Sequence, residues 1–282
     1  FEPQKSESMS SAKGALTASI HPLLSIVDDA VASTDKEARS ESMKLAVLRS
    51  LWGNQADLSL SAGKVEALAD AGELITDHVS LAVDTLMNAE GQTVLLVLDN
   101  HGLEVICDLF LADTILRLDA AKNVVLHVKD SPVFVSDVTE ADVDGIIAWM
   151  CKESPEMGKR LQSFQKAGRL QVRAHTYYTS ALSYWELPKD LATEYESAAA
   201  VIIKGDANYR RLLGDRHWPY DTNFESYVQS FWPCRALISL RTMKSGVALG
   251  ITPEKQTEAK AARPKDWLTA GVYGQVLSSL KS

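Results

Sequence analysis

The stretch Leu95-Leu96-Val97-Leu98-Asp99-Asn100-His101-Gly102 decides the fold. Five apolar residues, Val94 to Leu98, read as a buried strand that stops abruptly at a carboxylate, an amide and a glycine. Helical periodicity resumes at once in Leu103, Ile106, Leu109, Phe110 and Leu116, so Asp99 and Asn100 are expected in a strand-to-helix turn. In an open α/β sheet, ligands bind at the carboxyl ends of the strands. Asp99 and Asn100 offer hard oxygen donors, the kind that hold Mg²⁺ or Mn²⁺ rather than zinc. Two other turn patterns are not met. A haloacid-dehalogenase-type phosphatase carries a second Asp two residues after the first, where this chain has His101. A dinucleotide or S-adenosylmethionine fold usually carries G-x-G-x-x-G after its first strand, and only Gly102 is present.

Working outward from this turn, apolar runs recur at Val94–Leu98, Val124–Val128, Leu170–Ala174, Ala199–Ile203 and Ala236–Leu240. Helical patterns are expected between them at 103–118, 139–151, 155–167 and 208–213. Strands alternating with helices imply a mostly parallel sheet covered on both faces, a three-layer α/β/α sandwich. Upstream, residues 1–90 read as helical, with no convincing strand. Ala15, Ile20, Leu23, Leu24, Met43, Leu45, Leu48, Leu51 and Trp52 recur at helical spacing. Gly53-Asn54 breaks that pattern, and Ser59 or Ser61 could cap a following helix. The polar stretch from Asp29 to Ser42 reads as a surface loop or an interruption of the chain. The expected organisation is thus an N-terminal helical region, 1–90, and an α/β catalytic domain, 91–282.

Composition narrows the class. The 282 residues are 46% hydrophobic and 23% charged, ordinary for a globular chain. The net charge of −8 argues against non-specific nucleic-acid binding, which needs phosphate neutralisation, and leaves room for a local basic pocket. Cys107, Cys151 and Cys234 are widely spaced and form no C-x-x-C pair, which supports neither a disulfide framework nor a zinc ribbon. No apolar run approaches the roughly 18 residues of a membrane span. A reduced, cytoplasmic setting with no membrane, nucleic-acid or protein partner is the expectation.

Charged groups follow every strand. Asp99-Asn100 follows the first, Lys129-Asp130 with Asp137 the second, and His175-Thr176 the third. Lys204-Gly205-Asp206 follows the fourth and Arg241-Thr242-Met243-Lys244 the fifth. In a parallel sheet these ends gather along one edge. Asp99-Asn100 alone would serve as a helix cap. Together with Asp137, which stands before the expected cap Thr139, the pair suits a divalent-metal site completed by water and phosphate. In Lys204-Gly-Asp-Ala-Asn-Tyr-Arg210, Gly205 admits close backbone approach, and the following helix offers free N–H groups to an anion. Arg210 could grip a phosphate through two parallel bonds, and Asp206 and Asn208 could address sugar hydroxyls. Lys244 could add a point charge. Arg211 and Arg216 fit a solvated turn, His127 a core histidine, and Tyr177, Tyr178, Tyr184 and Trp185 a packed cluster. Asp108 lies close enough to the first turn to matter.

The segments LDNHGLE (98–104), HVKDSPVFVSDVT (127–139), YWELP (184–188), KGDANYRRLLGDR (204–216) and LRTMKSG (240–246) resemble the metal-dependent damage-control phosphatases. The sugar phosphate phosphatase III branch, whose animal relatives are also called acidic residue methyltransferase 1, fits best. LWGNQADLSL (51–60) and DWLTAGVYG (266–274) resemble further motifs of that family. The resemblance implies metal ligands, and with them catalysis, at Asp99, Asn100 and Asp137. It implies substrate contacts at Asp99, Asn100, Asp206, Ala207, Asn208, Tyr209, Arg210 and Lys244. A position proposed to contact S-adenosylmethionine falls on Glu104. It further implies a helical N-terminal part on an α/β/α sandwich. The implied activity is hydrolysis of phosphometabolites such as fructose 1-phosphate or fructose 6-phosphate, supported by Mn²⁺, Co²⁺, Ni²⁺ or Mg²⁺. Two competitors stand beside this activity: S-adenosylmethionine-dependent carboxyl methylation of glutamate in proteins, and non-catalytic sugar-phosphate binding. His101 departs from the small residue expected there, and the chain is shorter than the family pattern.

Overall fold

The computed structural model describes residues 12–14, 16–53 and 73–281. Ala15, the caps expected at Ser59 or Ser61, and the 51–60 motif beyond Gly53 lie outside them. In chain order the elements are α1 (His21–Ala32), α2 (Lys36–Leu51), β1 (Glu73–Asp77), α3 (Val79–Met87), β2 (Thr93–Val97) and α4 (Leu103–Arg117). They continue with β3 (Asn123–Val128), α5 (Glu140–Glu153), α6 (Pro155–Lys166), β4 (Leu170–Ala174) and α7 (Lys189–Ser197). The chain closes with β5 (Ala200–Lys204), α8 (Gly205–Leu212), α9 (Phe224–Gln229), β6 (Ala236–Thr242), α10 (Pro253–Ala262) and β7 (Tyr273–Leu280).

The strands form one sheet in the order β1-β7-β6-β5-β2-β3-β4. The neighbours from β6 to β4 all pair in parallel, with Leu96 opposite Leu126 on one side and Ile202 on the other. Between β6 and β7 the pairing is antiparallel, and β1 runs parallel to β7. The sheet is therefore mixed α/β and mostly parallel, as expected. Two expectations need correction. Glu73–Asp77 is a strand within the region read as purely helical. The polar stretch 29–42 is no loop, because Lys36–Leu51 is one helix whose N-cap Asp35 accepts from Glu37 N–H.

Alternation along the central strands builds two cores, since successive side chains leave opposite faces of a strand. Val94, Leu96 and Leu98, with Leu126, Ile202 and Ile238, pack under buried residues of α1 to α6. Leu95, Val97, Val125, Val201 and Ile203 face the other way, against Tyr177, Tyr184, Tyr195, Tyr209, Phe224 and Trp232. The N-terminal helices thus share one core with the sheet. Thr139 caps α5 through a reciprocal capping box with Asp142, as its position before the helix suggests. From β2 the chain moves outward through β3 to β4, then returns across the sheet to β5 on the other side of β2. The gap between the ends of β2 and β5 is the topological switch point, where such sheets open a crevice.

Candidate active site

A cavity of about 340 Å³ opens at that switch point. Its wall comes from the end of β2 (Asp99, Asn100), the first turn of α4 (Glu104), the start of α8 (Lys204 to Ala207 and Arg210), the end of β6 (Leu240 to Thr242), Lys244 and Leu51. Helix α8 begins at Gly205, earlier than the 208 expected, which puts Asp206 and Ala207 on its first turn. A cavity of about 580 Å³ lies beside Asp77, Asp221 and Glu225, and among the described residues no lysine or arginine lines it.

One wall is acidic. Asp99 is buried, and Asn100 Nδ2 donates to Asp99 Oδ2 and Glu104 Oε2, at 3.1 Å each. The segment after β3 folds back on this turn: Asn100 bridges Asp137, His101 N–H donates to Ser136 O, and Ser136 Oγ donates to Asn100 Oδ1 at 2.7 Å. Asp137 is buried. Lys129 donates to its Oδ1, and the N–H groups of Val133 and Phe134 donate to its Oδ2 at 2.9 and 2.7 Å. Burial first, then the carboxylates of Glu104 and Asp137, push the Asp99 carboxyl up to about 7, against the opposing pull of Lys129 and Lys204.

Lys204 anchors this wall from beneath. Its buried ammonium donates to Ser50 O at 2.6 Å and lies 2.9 Å from Asp108 Oδ1 and 3.9 Å from Glu104 Oε1. Ser50 Oγ also donates to Asp108, at 2.6 Å. Burial pushes the Asp108 carboxyl up to about 6, although Lys204 and Ser50 both pull it down. Burial works against the Lys204 charge too, yet Asp108 and Glu104 outweigh it and its pKa rises. The carboxyl groups of Asp99, Glu104, Asp108 and Asp137 thus share the wall with the ammoniums of Lys129 and Lys204, and carboxyls outnumber cations there. Among the described residues no three Asp, Glu, His or Cys side chains converge as a metal cluster. A cation held here would therefore draw on the Asn100 amide as well as on Asp99 and Asp137.

The opposite wall is cationic. Lys244 is exposed at the rim, and its backbone N–H donates to Asp206 Oδ1 at 3.4 Å. Ser245 Oγ reaches the same oxygen at 3.2 Å, and Arg241 lies 3.1 Å from it. Arg210 is half-exposed and doubly paired with Asp215. Gly205 explains how the two walls meet. Its φ is +82°, and a Cβ there would fall 1.8 Å from Asp99 Oδ2. Only a residue without a side chain lets the start of α8 touch the carboxylate.

The structure brings Asp99, Asn100, Glu104, Asp206, Ala207, Arg210 and Lys244 around one cavity. Asp137 abuts it through the Asn100 bridge. Asn208 and Tyr209 are buried beside it. Asn208 Nδ2 donates to Leu98 O and Lys204 O, which fixes the ends of β2 and β5 together. Tyr209 OH accepts from Leu249 N–H, and the Arg241 guanidinium lies 3.8 Å above its ring. His175, at the end of β4, turns to Asp190 and does not line the cavity. His127 is the buried core histidine expected, bonded to Tyr178 OH at 3.0 Å. The sequence places Arg241 among the strand-end groups but points to no role for it. Burial lowers its pKa, partly offset by Tyr209 and Asp206, and it braces Asp206 and Val247 O. Glu104 and Asp108 carry a readable signal, since their spacing of four places both on one face of α4.

The family model for the damage-control phosphatase ARMT1-like domain matches residues 1–259. The damage-control phosphatase ARMT1 of Mus musculus is 32% identical over 97% of this chain and 66% of its own length. The Homo sapiens protein of the same name is 31% identical over 92% of this chain and 63% of its own. That of Danio rerio is 32% identical over 86% and 59%. The chain thus spans about 60–66% of the length of these curated relatives. A crystal structure of a DUF89 family protein from Pyrococcus horikoshii aligns with 98% of this chain and 74% of its own, at 15% identity and a TM-score of 0.49. With its model matched from residue 1 to residue 259, the chain belongs to the damage-control phosphatase ARMT1-like family.

Proposed function

We propose that this chain is a metal-dependent phosphatase that hydrolyses sugar phosphates, such as fructose 1-phosphate or fructose 6-phosphate, and related phosphometabolites. The observation that carries the reading is the two-sided cavity, with buried carboxylates on one wall and Lys244, Arg210 and the start of α8 on the other. The family name supports the same class of chemistry. Asp99, Asn100 and Asp137 would hold one divalent cation, by donor chemistry that fits a hard metal ion on a wall where carboxyl groups outnumber ammoniums. When bound, such an ion polarises a phosphoryl oxygen and offsets charge at the reacting phosphorus.

This chain's own residues do the rest. Lys244 and Arg210 neutralise the non-bridging oxygens as charge develops on them, the dominant need in phosphoryl transfer. The free N–H groups at the start of α8 add partial positive charge beside Gly205. Asp206, fixed by Arg241 and Ser245, faces the cavity as an acceptor for sugar hydroxyls. Lys204 and Glu104 hold the Asp99 turn in place while substrate enters. Among the described residues no helix is long and apolar enough to cross a membrane. We place the enzyme in the cytoplasm, with the small phosphorylated sugar as its partner.

The test is phosphate release from a panel of sugar phosphates with Mg²⁺, Mn²⁺, Co²⁺ or Ni²⁺, and with EDTA as control. Turnover with at least one metal and loss in EDTA support the reading. No turnover of any substrate with any metal removes it.

A further inference from the structure

Arg210 reaches the cavity, but it is held from outside by Asp215. Its Nε donates to Asp215 Oδ1 and its Nη2 to Asp215 Oδ2, both at 2.7 Å. The two-point pair engages one edge of the guanidinium and leaves Nη1 out of it. The backbone closes the same turn, with Asp215 N–H donating to Arg210 O at 2.7 Å.

The turn runs through the left-handed region. Asp215 has φ +53°, a conformation that glycine takes freely and Asp takes at a modest cost. Gly214 before it has φ +64°, and a Cβ there would lie 1.9 Å from the Trp185 ring. The turn is thus wedged between the end of α8 and Trp185. Glycine would fill position 215 without strain. The ion pair gives little stability in return, because its side chains are 45% and 55% exposed and water screens them. Backbone strain with so small a folding gain is the kind of feature that marks a functional constraint. The hydrogen-bonded partner of Asp215 is Arg210, a cation on the cavity wall.

We propose that Asp215 is a positioning residue, which fixes the Arg210 guanidinium so that Nη1 is presented to a phosphate oxygen without reorganisation. The proposal rests on the reading that the cavity takes phosphate. A pre-oriented guanidinium loses less side-chain freedom on binding, and that saving appears as affinity.

The test uses Asp215→Gly, Asp215→Asn, Arg210→Ala and the double variant Arg210→Ala/Asp215→Gly. Three quantities are read: melting temperature, affinity for inorganic phosphate by calorimetry with Mg²⁺, and KM and kcat for the best sugar phosphate. Asp215→Gly is expected to melt no lower than wild type, because it relieves the strain. Its phosphate affinity falls and its KM rises by about five-fold, the cost of immobilising one rotamer-rich side chain on binding. Its kcat falls as well, since Arg210 also meets the charge that develops on the phosphoryl oxygens. Asp215→Asn, which keeps one acceptor, falls between Asp215→Gly and wild type. In the double variant, Asp215→Gly adds nothing to Arg210→Ala, since the two act through one group.

Unchanged or tighter phosphate binding in Asp215→Gly overturns the proposal, as do additive effects in the double variant. A fall in melting temperature that tracks the loss of affinity assigns Asp215 to folding and overturns it too. If wild type hydrolyses sugar phosphates and any of these results appears, the phosphatase reading stands and the role of Asp215 falls. If wild type neither binds phosphate nor releases it, both fall.

Discussion

At the scale of single residues, the candidate site is a problem of buried charge. Asp99 would be ionised at neutral pH in water, but burial and the carboxylates of Glu104 and Asp137 hold it near 7. The sign of the linkage follows. A carboxyl raised in the fold stabilises the folded state at low pH, and that contribution is lost as pH climbs from the ordinary value of 3.8 through about 7. Asn at position 99 cannot ionise. In metal-free protein the melting temperature of Asp99→Asn, relative to wild type, should therefore rise between about pH 4 and pH 7 and then level off. A difference that stays flat across this range contradicts the assignment. Gly205 gives a second residue-scale prediction. Gly205→Ala meets both a left-handed φ and the Asp99 carboxylate. Strain alone costs about 1–3 kcal/mol, and the clash adds to it. Denaturant unfolding should show a loss of at least about 2 kcal/mol, with phosphate release lost as well.

At the scale of elements, legibility in the sequence follows burial. The strands β2, β3, β5 and β6 read clearly because strands buried on both faces leave mostly apolar runs, and the edge strand β4 reads by its apolar–polar alternation. Their ends shift by only a residue or two from the pattern. The strands β1 and β7 were not legible. Glu73–Asp77 has charged ends and two buried residues in its centre. Tyr273–Leu280 buries Gln275, Ser278 and Ser279, polar side chains that break any apolar run. The candidate site was legible where it sits at strand ends. The bracing role of Arg241 was hidden because it stands inside β6, where its Nη1 pairs with Asp206 and Val247 O instead of reaching solvent. The role of Lys204 was hidden for a related reason: its partners Ser50 and Asp108 lie far away in the chain, on α2 and α4. This buried lysine joins three elements, which sets its expected weight. Lys204→Met leaves Asp108 buried beside Glu104 without its cation, and breaking such a pair costs about 3–5 kcal/mol. Equilibrium unfolding in urea should record that loss. A change below about 1 kcal/mol would show that the network does not hold α2 and α4 to β5.

At the scale of the whole molecule, the fold makes the cavity almost inevitable. The chain leaves β2 toward β3 and β4 with its helices under one face, then returns on the other face to β5 and β6. The ends of β2 and β5 therefore diverge around a crevice. Whatever follows those strands must line it, and here that is Asp99-Asn100 on one side and Gly205-Asp206 on the other. Helix α2 closes the acidic side, as Leu51 reaches the cavity and Ser50 O accepts from Lys204. The central claim is that this crevice works as one unit, cation on the carboxylate wall and phosphate on the basic wall. It is tested most directly by phosphate release from a sugar phosphate after EDTA treatment and on return of Mn²⁺, for wild type and Asp99→Ala in parallel. Wild type should be silent when stripped and active once metal returns, and with metal present Asp99→Ala should be at least about 100-fold slower than wild type. Turnover that persists in EDTA, or in Asp99→Ala at the wild-type rate, would contradict the account.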